Sequence, residues 1–323
     1  MLCAFGSANA QTSQTDEATR LNTEVIKLFK EKNYKDAIPV AEKVVKLREQ
    51  ELGANHFKTG EALLNLGFIQ SANGDKDEAQ KNLEKAIVIY QEKTDLDRDS
   101  RIKLAHMLET VAFYRYENRK FEKAKDFYQK AAELREKLHG QDALETTSAL
   151  WLLASIYQLQ KDYKMAEKTY RRVYEIRAKK LERSDWNVQD AQNRYYCMSV
   201  RNDSSDEAMS LIKSLQANNS NTDQPQTNLS PKLIRGGVIN GKATYLAKPP
   251  YPQEARSSRA EGAVKVQATI DEQGKIIFAC AISGNKLLYE ASELAAYQST
   301  FSPTILSGKP VKVTGVIVYN FVP

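Results

Sequence analysis

The sequence predicts a multidomain chain: an all-α superhelix of helix pairs over residues 17–215, then a small α+β domain with a three-stranded antiparallel sheet and two helices over residues 233–323. Three observations predict it. A small residue recurs at Ala37, Ala79, Ala124, Ala166 and Ala208, at intervals of 42, 45, 42 and 42 residues. Residues 216–232 are polar and nearly free of core formers, the composition of a flexible connector whose flanking parts move independently. Beyond them the hydrophobic spacing changes from helical to alternating. At 323 residues the chain also exceeds one ordinary core.

Residues 1–16 read as a residual signal peptide with a disordered tail. A short apolar stretch leads to Ala8-x-Ala10, the small-residue pattern a signal peptidase cleaves. The charged start and most of the apolar centre of such a leader are missing, so the natural start is expected upstream. The expectation is an exported, periplasmic protein; an uncleaved inner-membrane anchor further upstream is the alternative. No apolar run reaches membrane length, so no span is expected in this chain. Cys3 precedes the expected cut, and Cys197 and Cys280, too few and too scattered for a disulfide framework or a metal site, are expected to be idle thiols.

Each repeat unit is expected to be a helix pair. An aromatic stands three residues before the small anchor at Tyr34, Phe121 and Tyr163, and a large residue four after it at Leu83, Tyr128 and Tyr170. The first helices show Leu63, Leu66 and Gly67, then Leu108, Val111 and Ala112, then Leu150, Leu153 and Ala154. Small residues let antiparallel helices approach, and large ones fill the gap. These positions resemble the tetratricopeptide repeat. The long period, with turns such as Glu51-Leu-Gly-Ala-Asn-His56 and Lys137-Leu-His-Gly140, looks like the extended kinesin-light-chain type. Residues 189–215 form a degraded fifth unit, with Gln192 and Ser199 at apolar positions, which suits a capping repeat showing a polar face to water.

Such an array implies a groove lined by first helices. Asn65, Phe68, Phe113, Tyr116 and Trp151 are the candidates for a partner there, with Glu109 and Ser155 beside them. His56 and His139 are expected in turns and His106 solvated on a helix, with no metal set among them. Asp95-x-Asp97-x-Asp99 begins like a calcium loop, but Ser100 replaces its glycine, so a polar turn is expected.

In the last part, Val264, Val266, Ala268 and Ile270 alternate with polar residues as a first strand, and Asp271-Glu-Gln-Gly274 makes a hairpin turn into a second strand over 275–283. A helix follows, with Leu287, Leu288, Ala291, Leu294 and Ala295 as one apolar stripe, then a third strand over 311–321. Pro252 opens a short helix ahead of the first strand. Net charge concentrates here, 11 basic against 6 acidic residues over 232–323, which favours an acidic protein or peptide partner over nucleic acid.

Gly237-Val-Ile-Asn-Gly-Lys-Ala243, Lys248-Pro-Pro-Tyr-Pro252, Ile270-Asp-Glu-x-Gly274, Phe301-Ser-Pro303, Ser307-Gly-Lys-Pro-Val311 and Tyr319-Asn-Phe321 together resemble the C-terminal domain of TonB-type energy transducers. The resemblance implies docking of an outer-membrane TonB-dependent receptor, or another envelope protein, by strand addition to the final strand. Lys312, Thr314, Val316, Val318 and Asn320 would flank the incoming peptide, and Pro250, Tyr251 and Pro252 would belong to the docking surface. A few added backbone hydrogen bonds, each worth about 0.5–1.5 kcal/mol, imply binding of micromolar strength or weaker. Three alternatives leave the final strand covered: by the connector, by residues 233–248, or by a second copy in a strand-paired homodimer. No cofactor is expected and no enzyme: there is no phosphate loop, no nucleophile elbow and no histidine in the sheet domain.

Overall fold

The structure is a computed structural model and describes residues 5–183, 185–218 and 234–322. The expected connector falls mostly outside the described residues; 216–218 are the last turn of a helix. The helices are α1 (Phe5–Lys30), α2 (Tyr34–Leu52), α3 (Phe57–Asn73), α4 (Lys76–Glu92), α5 (Arg98–Glu117), α6 (Phe121–His139), α7 (Thr147–Leu159), α8 (Tyr163–Lys180), α9 (Trp186–Arg201) and α10 (Ser205–Asn218). Residues 5–16, read as leader and tail, are the beginning of α1.

The turn inside each pair repeats atom for atom. Five residues before each small anchor stands a residue in the left-handed region: Lys32, Gly74, Arg119, Lys161 and Asp203. The next N–H in each case reaches the carbonyl five residues back (Asn33 to Leu28, Asp75 to Gln70, Lys120 to Arg115, Asp162 to Tyr157, Ser204 to Ser199), at 2.8–2.9 Å. That closure satisfies carbonyls which a helix end would otherwise leave open. The anchors Ala37, Ala79, Ala124, Ala166 and Ala208 are all fully buried.

By contacts the chain forms two compact units, Met1–Leu153 and Ala154–Pro323. The boundary lies within α7, ahead of the connector. In the first unit, Gly67 shows why small residues recur: a Cβ there would lie 2.7 Å from Leu83 Cγ. Glu109, a groove candidate, instead holds Arg135 through both carboxylate oxygens at 2.7 and 2.8 Å. His56 caps α3 by accepting the Lys58 N–H, and Asp97 caps α5 by accepting the Ser100 N–H, so the calcium-like acidic run is a helix start. His139 ends α6, where a turn was expected.

The second unit contains α8, α9, α10 and the sheet domain. Its further elements are β1 (Ile234–Val238), β2 (Ala243–Tyr245), α11 (Gln253–Ser257), β3 (Gly262–Ile270), β4 (Ile276–Ser283), α12 (Tyr289–Gln298), β5 (Thr300–Phe301), β6 (Thr304–Leu306), β7 (Lys309–Val311) and β8 (Val313–Phe321). The expected three antiparallel strands are present as β8-β3-β4, and β1 extends them into a mixed four-stranded sheet, order β1-β8-β3-β4. The last strand begins at Val313 because residues 309–311 turn back onto 304–306 as a small hairpin. Val264, Val266, Ala268, Ile317 and Tyr319 form the core with Leu288, Tyr289, Ala295 and Ala296. The predicted stripe holds at Leu288, Ala291 and Ala295, which are buried, and is corrected at Leu287 and Leu294, which are exposed; α12 also turns Tyr289, Ser292 and Ala296 inward.

The fifth helix pair departs most from expectation. Ser199 is buried and Gln192 half-buried, so the polar positions are not simply a face shown to water, and Gln189, Asp190, Asn193 and Cys197 of α9 are buried as well. Asn193 and Cys197 meet the sheet domain.

Candidate functional site

The pairing of β3 with β4 sets Val266 beside Ala281 and Ala268 beside Ala279 on the core face, and Gln267 beside Cys280 and Thr269 beside Phe278 on the opposite face. Helix α9 packs on that opposite face. Gln267 Nε2 donates to Asn193 Oδ1 at 2.9 Å, and Cys197 and Cys280 form a disulfide with Cα atoms 5.9 Å apart. Arg194, paired with Asp190 at 3.0 Å, lies between the rings of Tyr170 and Phe278. Both cysteines are therefore used, contrary to the idle-thiol expectation. Spacing in the sequence could not reveal a bond that closes across 83 residues. Within the second unit, independent motion of the last helix pair and the sheet is likewise overturned, because a covalent bond joins α9 to β4.

At the end of α9, Arg201 donates to both carboxylate oxygens of Glu293 at 2.6 Å, with its guanidinium between Tyr163 and Tyr289. Glu293 also accepts the Ala281 N–H at 2.7 Å. Burial pushes the Glu293 carboxyl up, with Arg201 and the Ala281 N–H opposing that shift. Lys286 meets Asp203 at 2.7 Å nearby. Donor atoms of Cys197, Cys280 and Glu293 lie within 4.8 Å of one another, but the sulfurs are bonded to each other and offer no thiolate to a metal.

The margins of the sheet are both satisfied. Along β4, Ala279 N–H donates to Tyr297 Oη at 3.2 Å and Ala281 N–H to Glu293. Along β8, the expectation of an open edge is corrected. β1 pairs with it in parallel, Ile234 opposite Val313, Arg235 opposite Thr314 and Val238 opposite Val316. Ile239 N–H then donates to Val316 O at 3.0 Å, and the Asn240 carboxamide brackets Val318. Of the alternatives weighed from sequence, coverage by residues 233–248 is the one realised.

The predicted docking residues separate accordingly. Thr314 and Val316 line a cleft of about 480 Å³ between the sheet and α9–α10, together with Gln267, Tyr196, Met209 and Ile212. Lys312 reaches Glu272 at 3.2 Å and stands 5.1 Å from the Trp186 ring centre. Asn320 is exposed and Val318 half-buried. Pro250 is exposed, Pro252 caps α11, and Tyr251 turns inward, donating to Ala260 O at 2.7 Å with its ring against Phe321.

In the first unit, Asn65 and Phe68 line an apolar cleft of about 440 Å³ with Val25, Ile26 and Phe29. Asn65 donates to Asn22 on α1 at 3.1 Å. Phe113 is exposed, and Tyr116 packs edge-on to Phe121. Trp151 is half-buried and makes interactions of its own. In the second unit, Ser155 is hydrogen-bonded to the Tyr170 hydroxyl at 2.8 Å.

Residues 28–92 and 103–179 match the profile of the tetratricopeptide repeat, and residues 247–323 match that of the Gram-negative bacterial TonB protein C-terminal region. The chain joins tetratricopeptide repeats to a TonB C-terminal domain. Both are non-catalytic interaction modules, and the TonB C-terminal region is a periplasmic domain of Gram-negative bacteria. Among solved structures, similar chains include one described as "kinesin light chain nearly identical TPR-like repeats" from Podosopora anserina (19% identity, 66% of this chain and 97% of that chain covered, TM-score 0.45). Others are BtubC from P. vanneervenii (18%, 69% and 94%, TM-score 0.46) and MamA (17%, 65% and 97%, TM-score 0.45). No curated protein matches the sequence. Among the described residues no helix is long and apolar enough to cross a membrane.

The residues that sequence reasoning missed are Asn193, Cys197, Arg201, Gln267, Cys280 and Glu293. The polar residues noted in the fifth unit gave no signal for them, since Gln192 accepts from Gln216 on α10 and Ser199 donates to the Tyr196 carbonyl within α9.

Proposed function

We propose that the protein is a periplasmic adaptor: the TonB C-terminal domain docks an extended segment of an outer-membrane receptor by strand addition along β8, and the tetratricopeptide helices hold a further partner, in the service of TonB-dependent transport. The functional division follows the sequence pattern, repeats over 17–215, connector over 216–232 and docking domain over 233–323. The observation that carries the reading is β1 itself. A short parallel strand with few anchors already completes the β8 margin, so that margin has the geometry to take an added strand. The disulfide supports the compartment, since such bonds persist in oxidising spaces and are rare in the cytosol.

A second reading, a scaffold in which the TonB-like domain tethers or dimerises without transduction, draws on the same filled margin and on the bond to α9. The test places a photoreactive side chain in the full-length protein at Thr314, Val318, Phe68 or Phe113 in Gram-negative cells. Docking predicts adducts at 314 and 318 whose peptides map to the periplasmic segment of an outer-membrane receptor. Adducts confined to positions 68 and 113 would leave only the scaffold.

A further inference from the structure

The strand that fills the β8 margin is weak by its own composition. It has five residues, two of them the adjacent glycines Gly236 and Gly237, and its register slips between Arg235 and Val238. Two side chains just beyond it do the holding. Ile239 is almost fully buried over Gly315, where a Cβ would come within 2.5 Å of Ile239 Cγ2 and 2.9 Å of Gly237 O. The glycine in β8 is thus a notch that admits both the side chain and the backbone of the arm. Asn240 follows, its Nδ2 donating to Val318 O at 2.7 Å and its Oδ1 accepting the Val318 N–H at 2.8 Å. A carboxamide offers one donor face and one acceptor, as a peptide group does, so it continues the ladder where the main chain has turned away.

We infer that residues 234–240 are the resident occupant of an exchangeable strand site, and that the guest it fits is an extended segment, parallel to β8, in which an apolar residue of Ile or Leu size is followed directly by Asn or Gln. This inference rests on the strand-addition reading above and adds to it what must leave and what the guest must bring. The apolar residue enters the notch at Gly315, and the carboxamide brackets Val318. Arm and guest compete for one margin, so the guest's apparent affinity falls by the fraction of molecules in which the margin is clear. Weakening the arm must therefore tighten the guest.

The experiment uses the full-length oxidised chain and two synthetic peptides. One is Gly-Gly-Val-Ile-Asn-Gly-Lys, copied from residues 236–242, and the other carries Ser and Ala in place of its Ile and Asn. Fluorescence anisotropy should show at least tenfold tighter binding of the first peptide to an I239S/N240A chain than to the unaltered chain. The second peptide should bind that variant at least tenfold more weakly than the first. Equal affinity for the two chains, or for the two peptides, overturns the inference. Should the double variant fail to fold, N240A alone is read by amide exchange: the Val318 N–H should exchange at least tenfold faster with the β3 amides unchanged, and an unaltered Val318 rate overturns the bracket. If receptor segments cross-link at positions 314 and 318 while the arm-derived peptide does not bind, this inference fails and docking stands. If neither occurs, docking fails as well.

Discussion

Residues 17–153 and 154–323 bury comparable apolar cores but are secured by different forces. In the first unit, helix meets helix through alanines and Gly67, with Leu83 and Tyr128 filling the space opposite, and the enclosed pair of Arg135 with Glu109 ties α6 to α5. In the second unit a helix of the same repeat type, α9, has polar residues on its packed face. A disulfide to β4, Asn193 on Gln267 of β3 and Arg201 on Glu293 of α12 bind it to the sheet domain. The contrast teaches that one repeat template can end either by facing water or by converting its last first-helix into a docking rail. Apolar packing tolerates sliding, whereas covalent and charge-paired contacts fix one geometry.

Substitutions in both units test that contrast, each followed by denaturant unfolding. The two tryptophans fall one in each unit, Trp151 and Trp186, so variants keeping one of them report the units separately. The largest effect is expected for Arg201→Ala, which strands the Glu293 carboxylate among Tyr289, β4 and α9. A loss of about 3–5 kcal/mol is expected in the Trp186 signal, with partial recovery when Glu293→Leu is added. A loss below about 1 kcal/mol would show the pair to be solvated and of surface-pair strength. Next, Cys197→Ala with Cys280→Ala should cost about 2–4 kcal/mol in the second unit. Reductant should reproduce that loss in the unaltered chain and leave the Trp151 transition in place.

Gly67→Val is the counterpart in the first unit. Its new side chain meets Leu83, so about 1–3 kcal/mol should disappear from the Trp151 signal. The smallest effect runs in the opposite direction. Arg119 holds a left-handed conformation that favours glycine, and Arg119→Gly should raise stability by up to about 1 kcal/mol. The same change at Asp203 should give less, because it also removes the contact with Lys286.

Much of this molecule was legible before its structure. The spacing of the small anchors located every helix pair, because close helix approach at a fixed place demands a small residue whatever surrounds it. Alternation and turn chemistry likewise located β3, β4 and β8. Only the tertiary structure decided the rest. Cys197 and Cys280 carry no mark of their bond, since pairing depends on where two distant Cα atoms end up. The arm at 234–240, rich in glycine and without alternation, acquires strand form only because β8 offers it unpaired groups and Gly315 leaves room for Ile239. Local preference speaks for residues that shape their own backbone; where a partner imposes the shape, the partner must be in place before the shape can be read.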